Sequence, residues 1–239
     1  HPRYTFENFI KGDSNQLARA AALAVANNPG GTSFNPLVIY GGVGLGKTHL
    51  IQAIGNEVKR HYPNKKVFYT TSEKFSVDYI NSVGQGAKAM AIFKNKYRVY
   101  DLLIMDDIQF LSNKEKTQEE LFHIFNELYH NNKQIIFSSD KHPNYIPALE
   151  ARLKSRFSAG MIVDIQEPEY ESRLAILRAK AETKKFFPPE EIIEYLASSV
   201  NGNIRELEGL LNGIICQSEL KNRNLTLNEI KPFIKNTAK

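Results

Sequence analysis

The chain has 239 residues, 42% of them hydrophobic, with a formal net charge of +5 at pH 7, enough apolar material for one large domain or a main domain with an appendage. Its longest unbroken apolar stretch, residues 20–26, is too short to span a bilayer, and no secretory signal pattern is visible. Cys216 is the only cysteine, which excludes an intrachain disulfide and a thiolate metal cluster and fits a reducing, cytoplasmic setting. The mild basic charge is compatible with a polyanionic partner without demonstrating one.

In chain order, Asp13-Ser14-Asn15-Gln16 reads as a first helix start, because a capping side chain stands three residues before Gln. An apolar run at residues 37–40 then reads as a buried strand. It leads directly into Gly41-Gly42-Val43-Gly44-Leu45-Gly46-Lys47-Thr48, a complete G-x-x-x-x-G-K-[ST] phosphate-binding loop. Glycines let the backbone curl so that N–H groups from Gly42, Gly44, Leu45 and Gly46 through His49 converge on phosphates, and the helix expected from Thr48 turns its positive end to the same anion. Lys47 is placed to reach the β- and γ-phosphates of ATP or ADP, and Thr48 to offer its hydroxyl to Mg²⁺.

A second β-rich run, residues 67–71, is followed, beyond the crossover, by an additional helix at about 85–97 inserted before the third strand, longer than a simple crossover needs. The third run, residues 102–105, ends in Asp106 and Asp107. A strand apolar on both faces belongs inside a parallel sheet, so its carboxyl end emerges beside the other strand ends. There Asp106 is placed to hold the Mg²⁺ shell and Asp107 to polarise the attacking water. Thr117-Gln118-Glu119-Glu120 has the form of a further helix start. The fourth run, residues 134–138, leads to Ser139 and Asp140, either of which could orient the water or sense the γ-phosphate. Arg152 and Arg156, four apart, would share one helix face, as solvated surface or as cations presented to a neighbouring subunit's phosphates.

After a fifth run at 161–165 and the connector Gln166-Glu167-Pro168-Glu169 the alternation stops. Helices are expected at about 170–183, 189–198 and 204–219, with a short one after Thr226. The pattern predicts an α/β domain with a five-stranded parallel sheet over 1–167 and a small helical lid over 168–239. Arg205, in the first turn after a cap at Asn203, opposes the helix dipole and so invites an anionic partner.

Several of these segments carry a more specific resemblance. They are Tyr4-Thr5-Phe6-Glu7-Asn8-Phe9, Ser14-Asn15-Gln16-Leu17-Ala18-Arg19-Ala20-Ala21, Asn35-Pro36-Leu37, Lys47-Thr48-His49-Leu50, Asp106-Asp107-Ile108-Gln109-Phe110, Arg152-Leu153-Lys154-Ser155-Arg156-Phe157 and Asn203-Ile204-Arg205-Glu206-Leu207-Glu208-Gly209. With them the chain resembles the AAA+ P-loop ATPase domains of the bacterial DnaA replication-initiator family. The resemblance implies that Arg156 is an arginine finger acting in trans on the ATP of the adjacent protomer. Arg152 is then a second arginine of that motif, Arg205 sensor II, Asp140 the sensor I position, and Asn15 part of a segment near adenine and ribose. It implies that the helix after the second strand shapes a helical filament, and that single-stranded DNA meets Ser76, Val77, Lys114 and Lys116. Family members can carry Val where Ser76 falls and Arg where Lys116 falls; lysine still neutralises phosphate but loses the planar fork.

The resemblance further implies an ATP-dependent homo-oligomer in the bacterial cytoplasm, near the nucleoid, that promotes origin opening. Duplex origin boxes would be read only with a C-terminal domain expected beyond Lys239, and the opening His1 is expected to mark a fragment of something longer. The Asp-Asp pair, where most AAA+ ATPases have Asp-Glu, predicts slow hydrolysis suited to a switch. An AAA+ regulator or helicase loader acting through a protein partner is the alternative. A small-molecule P-loop kinase is a further one, but would not need the Arg152/Arg156 motif.

Overall fold

Five strands, Leu37–Tyr40 (β1), Val67–Thr71 (β2), Leu102–Asp106 (β3), Gln134–Ser139 (β4) and Met161–Asp164 (β5), form one all-parallel sheet in the order β2-β3-β4-β1-β5. In the computed structural model, which describes residues 1–200 and 203–237, β3 and β4 are buried along their whole length. That burial explains why their sequences run apolar without alternating. Register places Tyr40 opposite Ser139 and Asp164, and Thr71 opposite Asp106. The carboxyl ends of β1, β3 and β4 therefore deliver the phosphate loop, Asp106 and Ser139 to one edge of the sheet.

Helices Gln16–Asn27 (α1), Lys47–His61 (α2), Ser72–Gly84 (α3), Ala87–Arg98 (α4), Glu115–His130 (α5) and Ala151–Phe157 (α6) accompany the sheet. Three differ from expectation. α1 begins at Gln16, two residues later than a cap at Asp13 implies, and α2 already includes Lys47. α5 begins at Glu115, so Thr117 is no cap but a buried residue of its first turn. α3, expected only as a helical segment without bounds ahead of the additional helix at about 85–97, spans Ser72–Gly84, and Thr71 caps it by accepting the Lys74 N–H at 3.1 Å. The core on this side joins Phe75, Phe93, Leu103, Leu121, Phe125, Phe137, Leu153 and Phe157.

The chain divides into two compact units that cut across sequence order. One comprises His1–Phe9, Gln16–Gly41 and Lys47–Ile165; the other takes Ile10–Asn15, Gly42–Gly46 and the chain from Gln166. The second is built on Tyr170–Thr183 (α7), Glu190–Ser199 (α8), Ile204–Lys221 (α9) and Leu227–Thr237 (α10), with Leu174, Leu177, Ile193, Leu196, Leu207, Leu211, Ile214 and Ile230 in its core. Its caps are those the sequence announces. Asn203 accepts the Glu206 N–H at 2.9 Å, and Glu229 accepts the Thr226 N–H at 3.1 Å. Residues 238 and 239, the end of the expected lid, lie outside the described residues.

Candidate nucleotide site

In the larger unit the site is organised around one buried carboxylate. Asp106, 2% exposed, accepts the Thr48 hydroxyl at 2.8 Å and the Tyr69 hydroxyl at 2.7 Å on Oδ2, while Ser138 donates to Oδ1. An ionised carboxylate is expensive to bury without such donors. Burial, reinforced by the hydrogen bond to Asp106, pushes the Tyr69 phenol well above its ordinary value. Lys47 is itself buried, and its ammonium donates to the Gly41 carbonyl at 2.6 Å.

Thr48 and Asp106 offer the hard oxygen donors that Mg²⁺ selects, and that ion commonly takes its remaining ligands from water and substrate phosphate. The residues fit the ion on that donor chemistry, although no group of three His, Cys, Asp or Glu able to hold a metal by itself exists among the described residues.

Asp107 follows in a left-handed conformation, φ 59° and ψ 53°, which short polar side chains tolerate. Its N–H donates to Ser138 Oγ at 2.9 Å and its carbonyl accepts from Ser72 Oγ at 2.6 Å. Gln109 joins the two further acids: Nε2 donates to Asp107 Oδ1 at 3.3 Å, and Oε1 accepts the Asp140 N–H at 3.2 Å. Asp140 Oδ1 is buried without a hydrogen-bond partner, and the Lys141 ammonium stands 4.0 Å from it.

In the smaller unit the loop tip meets the start of α9. Gly44 and Gly46 have φ of 75° and 96°, accessible to glycine at little cost. The Gly44 carbonyl accepts the Ile204 N–H at 3.0 Å. A Cβ on Gly44 would fall 2.6 Å from Asn203 Oδ1 and 3.1 Å from Arg205 Cγ. Arg205 is exposed in the first turn of α9, where the N–H groups and dipole already favour an anion. Leu45 is buried. Asn15 spends its amide on its own loop, accepting from Gly12 N–H at 3.0 Å and donating to the Ile10 carbonyl at 2.9 Å.

The remaining expected residues lie in the larger unit. His49 packs its ring against Tyr4 and Phe9, with centroids 5.0 and 5.3 Å away, and its Nε2 is 2.8 Å from the Thr5 carbonyl oxygen. Its side chain holds the N-terminal segment. α6 buries Leu153 and Phe157 and turns Arg152 and Arg156 away from the core; Arg152 pairs with Glu150 at 2.8 Å. Val77 is 55% exposed, Lys116 is exposed and Lys114 partly so. Ser76 is a correction: it is 2% exposed, so its side chain is closed to a DNA strand.

Sequence reasoning missed Tyr69, Ser138 and the bridging role of Gln109. Tyr69 and Ser138 read as ordinary strand residues, and only the pairing of β2, β3 and β4 brings them to Asp106. No helix is long and apolar enough to cross a membrane among the described residues.

Comparison with known proteins adds an independent set of observations. Residues 1–164 match the family model described as the bacterial DnaA ATPase domain. Over 235 residues the chain is 51% identical to the chromosomal replication initiator protein DnaA of Thermoanaerobacter sp. (strain X514), covering 98% of this chain and 52% of that protein. It thus spans about half the length of the curated relatives it matches. Domain III of the Thermotoga maritima replication initiation protein DnaA superposes with a TM-score of 0.94 at 42% identity, covering 99% of this chain and 98% of that one. A replication initiator DnaA bound to AMPPCP and single-stranded DNA gives a TM-score of 0.83 at 40% identity, over 93% of this chain and 69% of that one.

Proposed function

The chain belongs to the bacterial DnaA ATPase domain family, and on that premise we propose that it binds ATP, hydrolyses it slowly, and assembles with copies of itself on single-stranded DNA while the triphosphate is intact. The observation that carries this reading is the Thr48–Asp106 pair at the carboxyl ends of the sheet strands. The relative bound to AMPPCP and single-stranded DNA supports both ligands.

In this reading the backbone of Gly42, Gly44, Leu45 and Gly46 through His49 cradles the phosphates, and Lys47 leaves the Gly41 carbonyl for the β- and γ-phosphate oxygens. Thr48 and Asp106 hold Mg²⁺, which when bound neutralises charge on the phosphate oxygens. Asp107 orients a water and takes its proton as the water oxygen bonds to the γ-phosphorus and the bond to the β–γ bridging oxygen breaks, leaving ADP and phosphate. Gln109 keeps Asp107 and Asp140 at a fixed separation, so a change at the sensor I position reaches the base through one amide. Arg205 contacts the nucleotide from the start of α9, and Asn15 and His49 shape the N-terminal segment near the base and ribose. In this reading the nucleotide-binding subdomain is 1–167 and the lid 168–239, although by contacts residues 10–15, 42–46 and the chain from Gln166 form one compact unit.

ATP also offers a γ-phosphate to Arg156, with Arg152, of the next protomer, and ADP does not. Assembly brings Val77, Lys114 and Lys116 of successive protomers along one strand, stretching it and favouring duplex opening at the origin. The test measures single-stranded DNA binding and oligomer size with ATP, ADP and no nucleotide, for the wild type and Arg156→Ala. Larger assemblies and tighter binding with ATP alone, lost in Arg156→Ala, are expected. Equal size and equal binding in all conditions would overturn the proposal.

A further inference from the structure

The helix that carries the arginine pair is short. α6, Ala151–Phe157, has seven residues, too few to hold its own conformation without neighbours. Leu153 and Phe157 fix its inner face in the core. On its other side stands Phe122 of α5, a sixteen-residue helix anchored by Leu121, Ile124, Phe125 and Leu128. The Arg152 guanidinium carbon lies 4.5 Å from the Phe122 ring centroid and that of Arg156 5.4 Å. Both are within the range of a cation–π contact.

The two arginines differ in their other partners. Arg152 donates from Nε to Glu150. Arg156 makes no ion pair among the described residues, and its Nε is buried without a hydrogen-bond partner. A carboxylate would hold such a guanidinium more firmly but would occupy the planar fork that a phosphate must engage. An aromatic face attracts the cation without taking its N–H groups. We infer that Phe122 is a positioning residue of the trans site: its ring aligns Arg156, with Arg152 beside it, so that the finger is oriented and still unneutralised when a neighbour's ATP arrives. The inference rests on the proposed role of Arg156 in trans.

The test measures the protein concentration at half-assembly with the non-hydrolysable analogue AMPPCP, together with nucleotide affinity of the dilute protein, for wild type, Phe122→Leu, Phe122→Met, Phe122→Tyr and Arg156→Ala. Leu and Met keep an apolar side chain and remove the ring; Tyr keeps the ring. The expected result is a half-assembly concentration raised about three- to tenfold in Phe122→Leu and Phe122→Met. It should return to the wild-type value in Phe122→Tyr, with nucleotide affinity unchanged in the three Phe122 variants. A merely apolar filler would be replaced by Leu or Met without effect, so wild-type assembly of both, alongside loss of assembly in Arg156→Ala, overturns the role of Phe122. Wild-type assembly of Arg156→Ala overturns the finger reading itself, and the inference with it.

Discussion

The Tyr69 hydroxyl donates to Asp106 Oδ2 at 2.7 Å, on the same oxygen that accepts the Thr48 hydroxyl at 2.8 Å. These two donors differ in kind, because Thr48 is also the proposed metal ligand and Tyr69 only supports the carboxylate. Tyr69→Phe should lower stability by about 1.5–3 kcal/mol, the scale of a hydrogen bond to a charged group, and leave Mg²⁺-dependent nucleotide affinity within about threefold. Thr48→Val should remove most of that affinity. Denaturant titration without nucleotide, paired with nucleotide binding with and without Mg²⁺, checks both. A Tyr69→Phe protein that loses nucleotide as fully as Thr48→Val would make the phenol a direct part of the site.

Asp107 combines a left-handed backbone with the proposed base, and the two can be separated by choice of substitution. Asn tolerates the same φ and ψ and keeps the size of the side chain. Asp107→Asn should therefore keep its fold and its ATP affinity while turnover falls about 10²-fold. Ala lacks that tolerance, so Asp107→Ala should also lose about 1 kcal/mol of stability. Single-turnover hydrolysis and thermal unfolding of the two variants make the comparison; undiminished turnover in Asp107→Asn rules Asp107 out as the base.

What the sequence made legible was whatever is written locally. Buried parallel strands leave continuous apolar runs, and the phosphate loop is contiguous. The bounds of α3 stayed hidden because Val77, Ile80 and Val83 are exposed apolar side chains on it, which blur the periodicity that marks a buried face. The start of α5 was misplaced because Thr117 and Glu120 match a capping box in spacing, yet both are buried within the helix. Tyr69, Ser138 and Gln118 were missed for a deeper reason. Hydroxyls and amides carry no periodic signature, and apart from Leu111 their partners lie 30 or more residues away, fixed only by sheet register and loop convergence.

Gly44 meets the start of α9 more closely than any side chain allows. With φ of 75° and a hypothetical Cβ 2.6 Å from Asn203 Oδ1, Gly44→Ala faces both backbone strain of about 1–2 kcal/mol and a clash with the cap of α9. Nucleotide affinity should fall at least about tenfold, with loss of protection of the Ile204 amide in hydrogen exchange, since that amide donates to the Gly44 carbonyl. Unchanged affinity would mean that the loop tip contributes nothing to phosphate binding.

Tyr97 is 1% exposed among Phe68, Phe75 and Phe93, and its hydroxyl has no hydrogen-bond partner. Burial pushes its phenol well above the ordinary tyrosine value of about 10. The sign follows: above about pH 10 the unfolded chain releases this proton while the folded chain keeps it, so stability falls as pH rises. Tyr97→Phe removes both an unsatisfied buried hydroxyl and this linkage. It should raise stability by about 1 kcal/mol at pH 7, and by more at pH 11 than at pH 7. Urea unfolding at the two pH values reads the difference; a variant less stable than wild type at both would show a partner for the hydroxyl.

Gln118 satisfies three backbone groups at once from a fully buried side chain. Its Nε2 donates to the Leu111 carbonyl at 2.7 Å and the Ala148 carbonyl at 2.9 Å, and its Oε1 accepts the Glu150 N–H at 2.9 Å. Leu111 ends the turn that begins at Asp107, and Glu150 immediately precedes α6, so one amide ties the segment after the acidic pair to the start of the arginine helix. Gln118→Leu strands all three groups and should cost about 3 kcal/mol or more. In Gln118→Glu the acceptor survives, but a carboxylate would face two carbonyls, so its pKa in the folded protein is raised. Stability should then be retained below the ordinary glutamate range near pH 4 and lost as pH rises through the folded value. ATP-dependent assembly should weaken in both variants at temperatures where they remain folded, because α6 no longer starts from a fixed point. Assembly equal to wild type in folded Gln118→Leu would show that Leu153 and Phe157 alone are sufficient to hold the arginine pair.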